Sequence, residues 1–138
     1  MALKDRIKDF EKSLNRLEEA YSQTIKNIEG EYYTFFRDSS IQRFEFTVEI
    51  MWKTLKNFLV EHSGIDCKSP KGCIREFFSA GYLSQEETLK LLEMIDDRNM
   101  TSHTYHEEIA EKIFSGLKGY LPLIKKVLNT IEEVSKGS

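Results

Sequence analysis

Apolar residues recur every three or four positions along most of the chain, the period of a helix buried along one face. Leu3, Ile7, Phe10, Leu14, Leu17, Tyr21, Ile25 and Ile28 form the first stripe. It predicts a helix of about 25 residues, about 38 Å long, ended by Gly30. A second stripe runs through Ile41, Phe44, Val48, Met51, Trp52, Leu55, Phe58 and Leu59. Its helix is expected to begin near Asp38 or Ser39, where Ser39 and Gln42 fit a capping box, and to stop at Gly64. Phe46 and Ile50 fall off that stripe. Either this helix is wrapped on both sides by its own chain, or its second face meets another subunit.

Three further helices follow. Ser69-Pro70 opens a short one, with Ser as cap and Pro at the first helical position. Ile74, Phe77 and Phe78 are its expected core contacts, and Gly81 closes it. Ser84 and Glu87 form a capping box for the next, which carries Leu89, Leu92, Ile95 and Met100. The last is expected from Tyr105 to Val134, with Ile109, Ile113, Leu117, Tyr120, Ile124, Val127, Ile131 and Val134 inward. Gly119 and Pro122 should bend it, because Pro removes a backbone donor and crowds the preceding turn. No strand pattern competes, and Tyr32-Tyr33-Thr34-Phe35-Phe36 reads as a packed loop. The fold class is therefore all-α: an up-and-down antiparallel bundle of four long helices plus a short extra helix. One domain covers residues 1–138, with residues 135–138 as a frayed tail.

Composition narrows this picture. Seven Gly and two Pro in 138 residues are too few for a turn-rich all-β protein. No apolar run is long enough to span a membrane. The N-terminus mixes both charges and reads as a helix start, not a signal peptide, so a cytoplasmic protein is expected. The net charge of −3 excludes a general basic coat for nucleic acid, so any RNA contact must be local. Lys53, Lys56, Lys68, Lys71 and Arg75 are the cations whose convergence would make such a contact. Cys67 and Cys73 are expected to be reduced, partly buried thiols. Two Cys and three scattered His make no metal site, and no cofactor is expected.

The chemistry concentrates in Arg98-Asn99-Met100-Thr101-Ser102-His103-Thr104-Tyr105, at the junction of the last two helices. A guanidinium can hold a phosphate, an imidazole can move a proton near neutral pH, and a phenol can donate a hydrogen bond or accept a covalent group. Thr104 and Glu107 fit a capping box, which makes Thr104 the expected cap of the last helix and puts Tyr105 in its first turn. The N–H groups there would be a seat for an anion. Singly, each residue also has a plain structural reading: Arg98 at a helix C-terminus, His103 solvated, Tyr105 packed. Asp96 and Asp97 either orient Arg98 or are solvated acids, and the second is the expectation here.

Arg-x4-His-x-Tyr, carried by Arg98, His103 and Tyr105 with Asn99 after the Arg, resembles the motif of the HEPN family. Within it, the likeness is to the stand-alone branch of nucleotidyltransferase substrate-binding proteins, over essentially the whole chain. The resemblance implies a homodimer and a toxin paired with a minimal nucleotidyltransferase. It implies a metal-independent ribonuclease in which Arg98 binds the scissile phosphate and His103 transfers protons. It also implies that Tyr105 accepts AMP from the partner enzyme. Cleavage through a ribose 2′-hydroxyl needs a base and an acid, and a two-fold pair of chains supplies two imidazoles. His106 is the other candidate for the second group. Two alternatives stay open: a non-catalytic subunit binding nucleotide or substrate for the transferase, and a purely structural helical dimer.

Overall fold

The computed structural model describes residues 1–137. Helices α1 (Leu3–Lys26), α2 (Tyr33–Ser63), α3 (Pro70–Ser79), α4 (Gln85–Asn99) and α5 (Glu107–Lys136) account for nearly all of it. A single 3₁₀ turn, Thr101–His103, joins α4 to α5. The all-helical bundle matches the expectation from periodicity. Phe10, Phe44, Met51, Phe58, Leu117 and Tyr120 are sealed in one continuous core fed by all five helices.

Local signals fixed several boundaries. Ser69 accepts from Gly72 N–H with Pro70 at the helix start, and Ser84 and Glu87 satisfy each other's backbone as a full capping box. Gly64 ends α2 at φ 64°, and Gly81 follows α3 at φ 92°, conformations glycine adopts without strain.

Elsewhere tertiary contacts overrode the local reading. Helix α1 stops at Lys26, before Gly30, and Ile25 and Ile28 are exposed. Helix α2 starts at Tyr33, not at Asp38 or Ser39, so most of the expected loop Tyr32–Phe36 is helical. The cause is on the far side of the bundle. Tyr33 and Arg37, one turn apart, both reach carboxylates of α5: Tyr33 donates to Glu111 at 2.7 Å and Arg37 to Glu107 at 2.6 Å. Phe78, Leu89 and Met100 lie on exposed surface instead of in the core. Ser135 and Lys136 are helical rather than frayed, and Ser138 lies outside the described residues. Helix α5 runs through Gly119 and Pro122 without interruption.

The cysteines also differ from expectation. Cys67 and Cys73 form a disulfide with a Cα–Cα distance of 5.1 Å. The Ser69 cap turns the chain so that the first turn of α3 folds back over the preceding loop. Two positions six apart are thereby brought into bonding range.

Candidate functional site

The Arg98–Tyr105 segment is fastened from three sides. Asp97 is buried. It accepts from the Tyr120 hydroxyl and from Lys112 Nζ at 3.1 Å, which ties the end of α4 to α5. Burial, and then the Asp97 hydrogen bond and charge, push the Tyr120 phenol well above its ordinary value. A Cβ on Gly116 would come within 2.8 Å of the Tyr120 ring, so glycine leaves the room this pair needs. Asp96 pairs with Lys71 at 2.6 Å. Asp96 is thus a largely exposed acid, as expected, whereas Asp97 is buried, and among the described residues neither bonds Arg98.

Arg98 is held from α2. Its guanidinium donates to Glu49 Oε2 at 3.1 Å, and Glu49 also accepts from Trp52 Nε1 and pairs with Lys53. Burial raises the Glu49 carboxyl, but the Trp52 and Lys53 hydrogen bonds and the Lys53 and Arg98 charges outweigh it. The net effect holds the carboxyl below its ordinary value. The Arg98 Nε is buried with no hydrogen-bond partner. One turn earlier on α2, Glu45 lies 2.7 Å from the Thr101 hydroxyl, which is also 2.8 Å from the Arg98 carbonyl. Glu45 and Glu49 therefore grip both ends of the turn after α4. Their spacing of four on one polar face is the sequence signal for this, and a reading of apolar stripes passes over it.

The start of α5 is the third anchor. Arg37 is 1% exposed and pairs with Asp38, Glu107 and Glu111. The Glu107 hydrogen bond is the main reason its guanidinium is raised further, and Arg37 in turn lowers Glu107. Tyr33 is pushed up to about 12 by burial and by its bond to Glu111. Because Arg37 holds the Glu107 carboxylate, the expected Thr104–Glu107 box does not form. His106 is the residue before the helix, and the Thr104 hydroxyl donates to the Thr101 carbonyl at 3.3 Å. Tyr105 thus precedes α5 and is not in its first turn. The expected anion seat is also crowded with like charge, because Glu107 and Glu108 occupy the first turn.

Of the predicted residues, the structure brings the rings of His103, Tyr105 and His106 together. Tyr105 is 74% exposed, with ring centroids 4.4 Å from His106 and 6.1 Å from His103. Asn99 and His103 are exposed, and Thr104 is half-buried. Among the described residues, no hydrogen bond or ion pair joins Arg98 to His103. Asp38, Ile41, Glu45, Thr101 and Thr104 line a groove of about 480 Å³ beside the segment, and its charged groups are acidic. Of the candidate RNA cations, Lys53 pairs with Glu49, the carboxylate that also holds Arg98, and Lys71 pairs with Asp96 near the end of α4, whereas Lys56 and Lys68 pair with Asp66.

A family model described as nucleotidyltransferase substrate binding protein like matches residues 5–133. The chain belongs to that family. A crystal structure of a Thermus thermophilus protein shares this family member's fold with a TM-score of 0.71 and 40% identity. That match covers 83% of this chain and 98% of the other. A Haemophilus influenzae structure, described as revealing the fold of a substrate binding domain of a nucleotidyltransferase, gives a TM-score of 0.64 at 24% identity. It covers 86% of this chain and 98% of the other, and at that identity supports the fold alone. No curated protein matches this chain. Among the described residues, no helix is long and apolar enough to cross a membrane.

Proposed function

We propose that this chain is the substrate-binding partner of a nucleotidyltransferase and that it presents Tyr105 to that enzyme. One observation carries the reading: a phenol 74% exposed on a short segment whose neighbours are locked to α2 and α5. An ordered, exposed nucleophile fits insertion into another protein's active site, because little conformational entropy is lost on docking. Family membership supports the partner class.

The step is a nucleotidyl transfer. The Tyr105 oxygen attacks the α-phosphorus of ATP, the bond to the bridging oxygen breaks, and pyrophosphate leaves. The phenolic proton passes to a base, for which the adjacent imidazoles of His103 and His106 are available. The product carries a bulky anion beside His103. A homodimer related by a two-fold axis belongs to the same reading, with the apolar Phe46 and Ile50 positions of α2 as its contact. The test is incubation with ATP and a minimal nucleotidyltransferase from the same genome. Intact mass should rise by one adenylyl group, and Tyr105→Phe should abolish the rise. Modification of the Phe variant to the same extent would refute Tyr105 as acceptor.

A second reading is a metal-independent ribonuclease using Arg98 and His103, and one observation favours it. The Arg98 side chain is 32% exposed, and among the described residues its guanidinium bonds Glu49 through Nη2, which leaves Nη1 for a phosphate. On this reading His103→Ala abolishes RNA cleavage, EDTA leaves it intact, and the adenylylated protein is inactive. Full cleavage by the His103→Ala protein would end it. The acidic groove weighs toward the first reading.

A further inference from the structure

The end of the bundle that carries Tyr105 also carries a cluster of apolar side chains left in water. Ile28, Tyr32 and Phe35, in the α1–α2 turn and the first turn of α2, are 54%, 56% and 70% exposed. The Tyr32 and Phe35 rings stack, with centroids 5.8 Å apart and 22° between planes. This turn is not loose. Tyr33 and Arg37, on the opposite side of the same helical stretch, are bonded to Glu111 and Glu107 of α5. Phe35 lies one turn before Asp38, which shares its groove with Thr101 and Thr104. The aromatic pair and the Tyr105 segment therefore flank one acidic groove. A rigid, clustered apolar surface of this kind marks an interaction site more often than a chance exposure.

Charge says what would cover it. Residues 27–38 and 99–111 hold six carboxylates against one guanidinium, Arg37, while the whole chain is only −3. Arg37 is itself buried and neutralised. With Asp38, Glu107 and Glu111 paired to Arg37, Glu29, Glu31 and Glu108 leave this end locally acidic, and Glu29 and Glu31 flank the exposed Ile28 and Tyr32 in sequence. An RNA backbone is repelled from such an end. An enzyme that gathers nucleoside triphosphates needs a cationic mouth, and that mouth is complementary to it. Aromatic anchors ringed by charge are also the usual make-up of a protein contact whose energy is concentrated in a few residues.

We infer that Ile28, Tyr32 and Phe35 form the docking surface for the nucleotidyltransferase, seating its basic rim so that Tyr105 enters the active site. The inference rests on the proposed partnership and adds where the enzyme binds. The test uses the full chain and a purified minimal nucleotidyltransferase from the same genome, with affinity measured by calorimetry and Tyr105 modification by intact mass. Tyr32→Ser with Phe35→Glu should weaken binding at least tenfold and slow adenylylation, while circular dichroism stays unchanged. Leu89→Ser, at an exposed apolar residue of α4, should leave the transferase affinity within twofold. Glu29→Lys with Glu31→Lys should weaken binding and flatten its salt dependence. Unchanged affinity in the Tyr32/Phe35 variant, with wild type binding, would overturn the surface and leave the partnership standing. A shift in self-association by that variant, with transferase affinity intact, would assign the surface to a second copy and also overturn it. No binding by wild type would remove the partnership itself, and the surface with it.

Discussion

The two ends of the bundle are fastened by different chemistry. At the α2–α3 corner the Cys67–Cys73 disulfide closes the loop, and the rings of Phe58, Phe77 and Tyr82 pack on one another. At the other end the helices are joined by charge: Arg37 to three carboxylates, Tyr33 to Glu111, Arg98 to Glu49, and Lys112 with Tyr120 to Asp97. The first end puts Phe58 and Phe77 inside. The second leaves Tyr32, Phe35 and Tyr105 in water. Polar anchoring lets an end stay ordered without consuming its own apolar surface, and that surface remains free for a partner.

The comparison breaks first at Arg37. Arg37→Met removes the anchor of the α5 N-terminus and should cost about 2–4 kcal/mol of unfolding free energy. The value stays at the lower end because Asp38, Glu107 and Glu111 are well exposed and regain water. Urea denaturation checks it, and an unchanged midpoint would mean that apolar packing alone holds this end. The disulfide should matter somewhat less. A loop this short restricts the unfolded chain by only about 2 kcal/mol, and Cys67→Ser should lower stability by that amount. Adenylylation of Tyr105 should change little, because the disulfide loop meets the end of α4 through the solvent-exposed Lys71–Asp96 pair. Loss of modification in the Cys67→Ser protein would show the two ends to be coupled.

What the sequence disclosed follows the same division. Helices with a long apolar period, and ends set by Ser69-Pro70, Ser84/Glu87 and Gly64, were legible because the deciding contacts lie within a few residues. The all-α bundle came from the same kind of signal. The start of α2 was missed because it is decided by Glu107 and Glu111, more than 70 residues away. The Thr104 box failed for the same reason, since Arg37 competes for Glu107. The Cys67–Cys73 bond depended on how the Ser69 turn redirects the chain, which spacing alone does not give. Glu45 and Glu49 look like a solvated face until the turn after α4 is set against them. Asp97 looks like an acid at a helix end, and only Tyr120 and Lys112 explain why it is buried.

Asp97 sharpens the comparison at a smaller scale. Tyr120→Phe keeps the ring that packs on Phe44 but removes the hydroxyl that Asp97 accepts from. A buried carboxylate then keeps only Lys112, and the loss should be about 1–2 kcal/mol. Thermal melting reads this directly. The more telling readout is hydrogen exchange at Asn99–His103, which should quicken as the end of α4 loosens. Exchange unchanged there, with lowered melting, would confine Tyr120 to core packing.

The smallest expected effect is a null one, and it isolates Arg98. Glu49 is held below its ordinary carboxylate value in the folded protein. A group depressed on folding contributes stability that is fully present above its ordinary value and is lost only as pH falls through the folded one. The Arg98–Glu49 pair should therefore be constant across the neutral range and loosen only in acid. Side-chain NMR of Arg98 checks this: its guanidinium resonances should stay fixed from about pH 8 to pH 6, the window in which imidazoles change charge. Any change of adenylylation rate over that window then has its origin outside the tether. Movement of the Arg98 signals in that window would show that the tether yields to a neighbour's titration, and the segment would then be switchable rather than fixed.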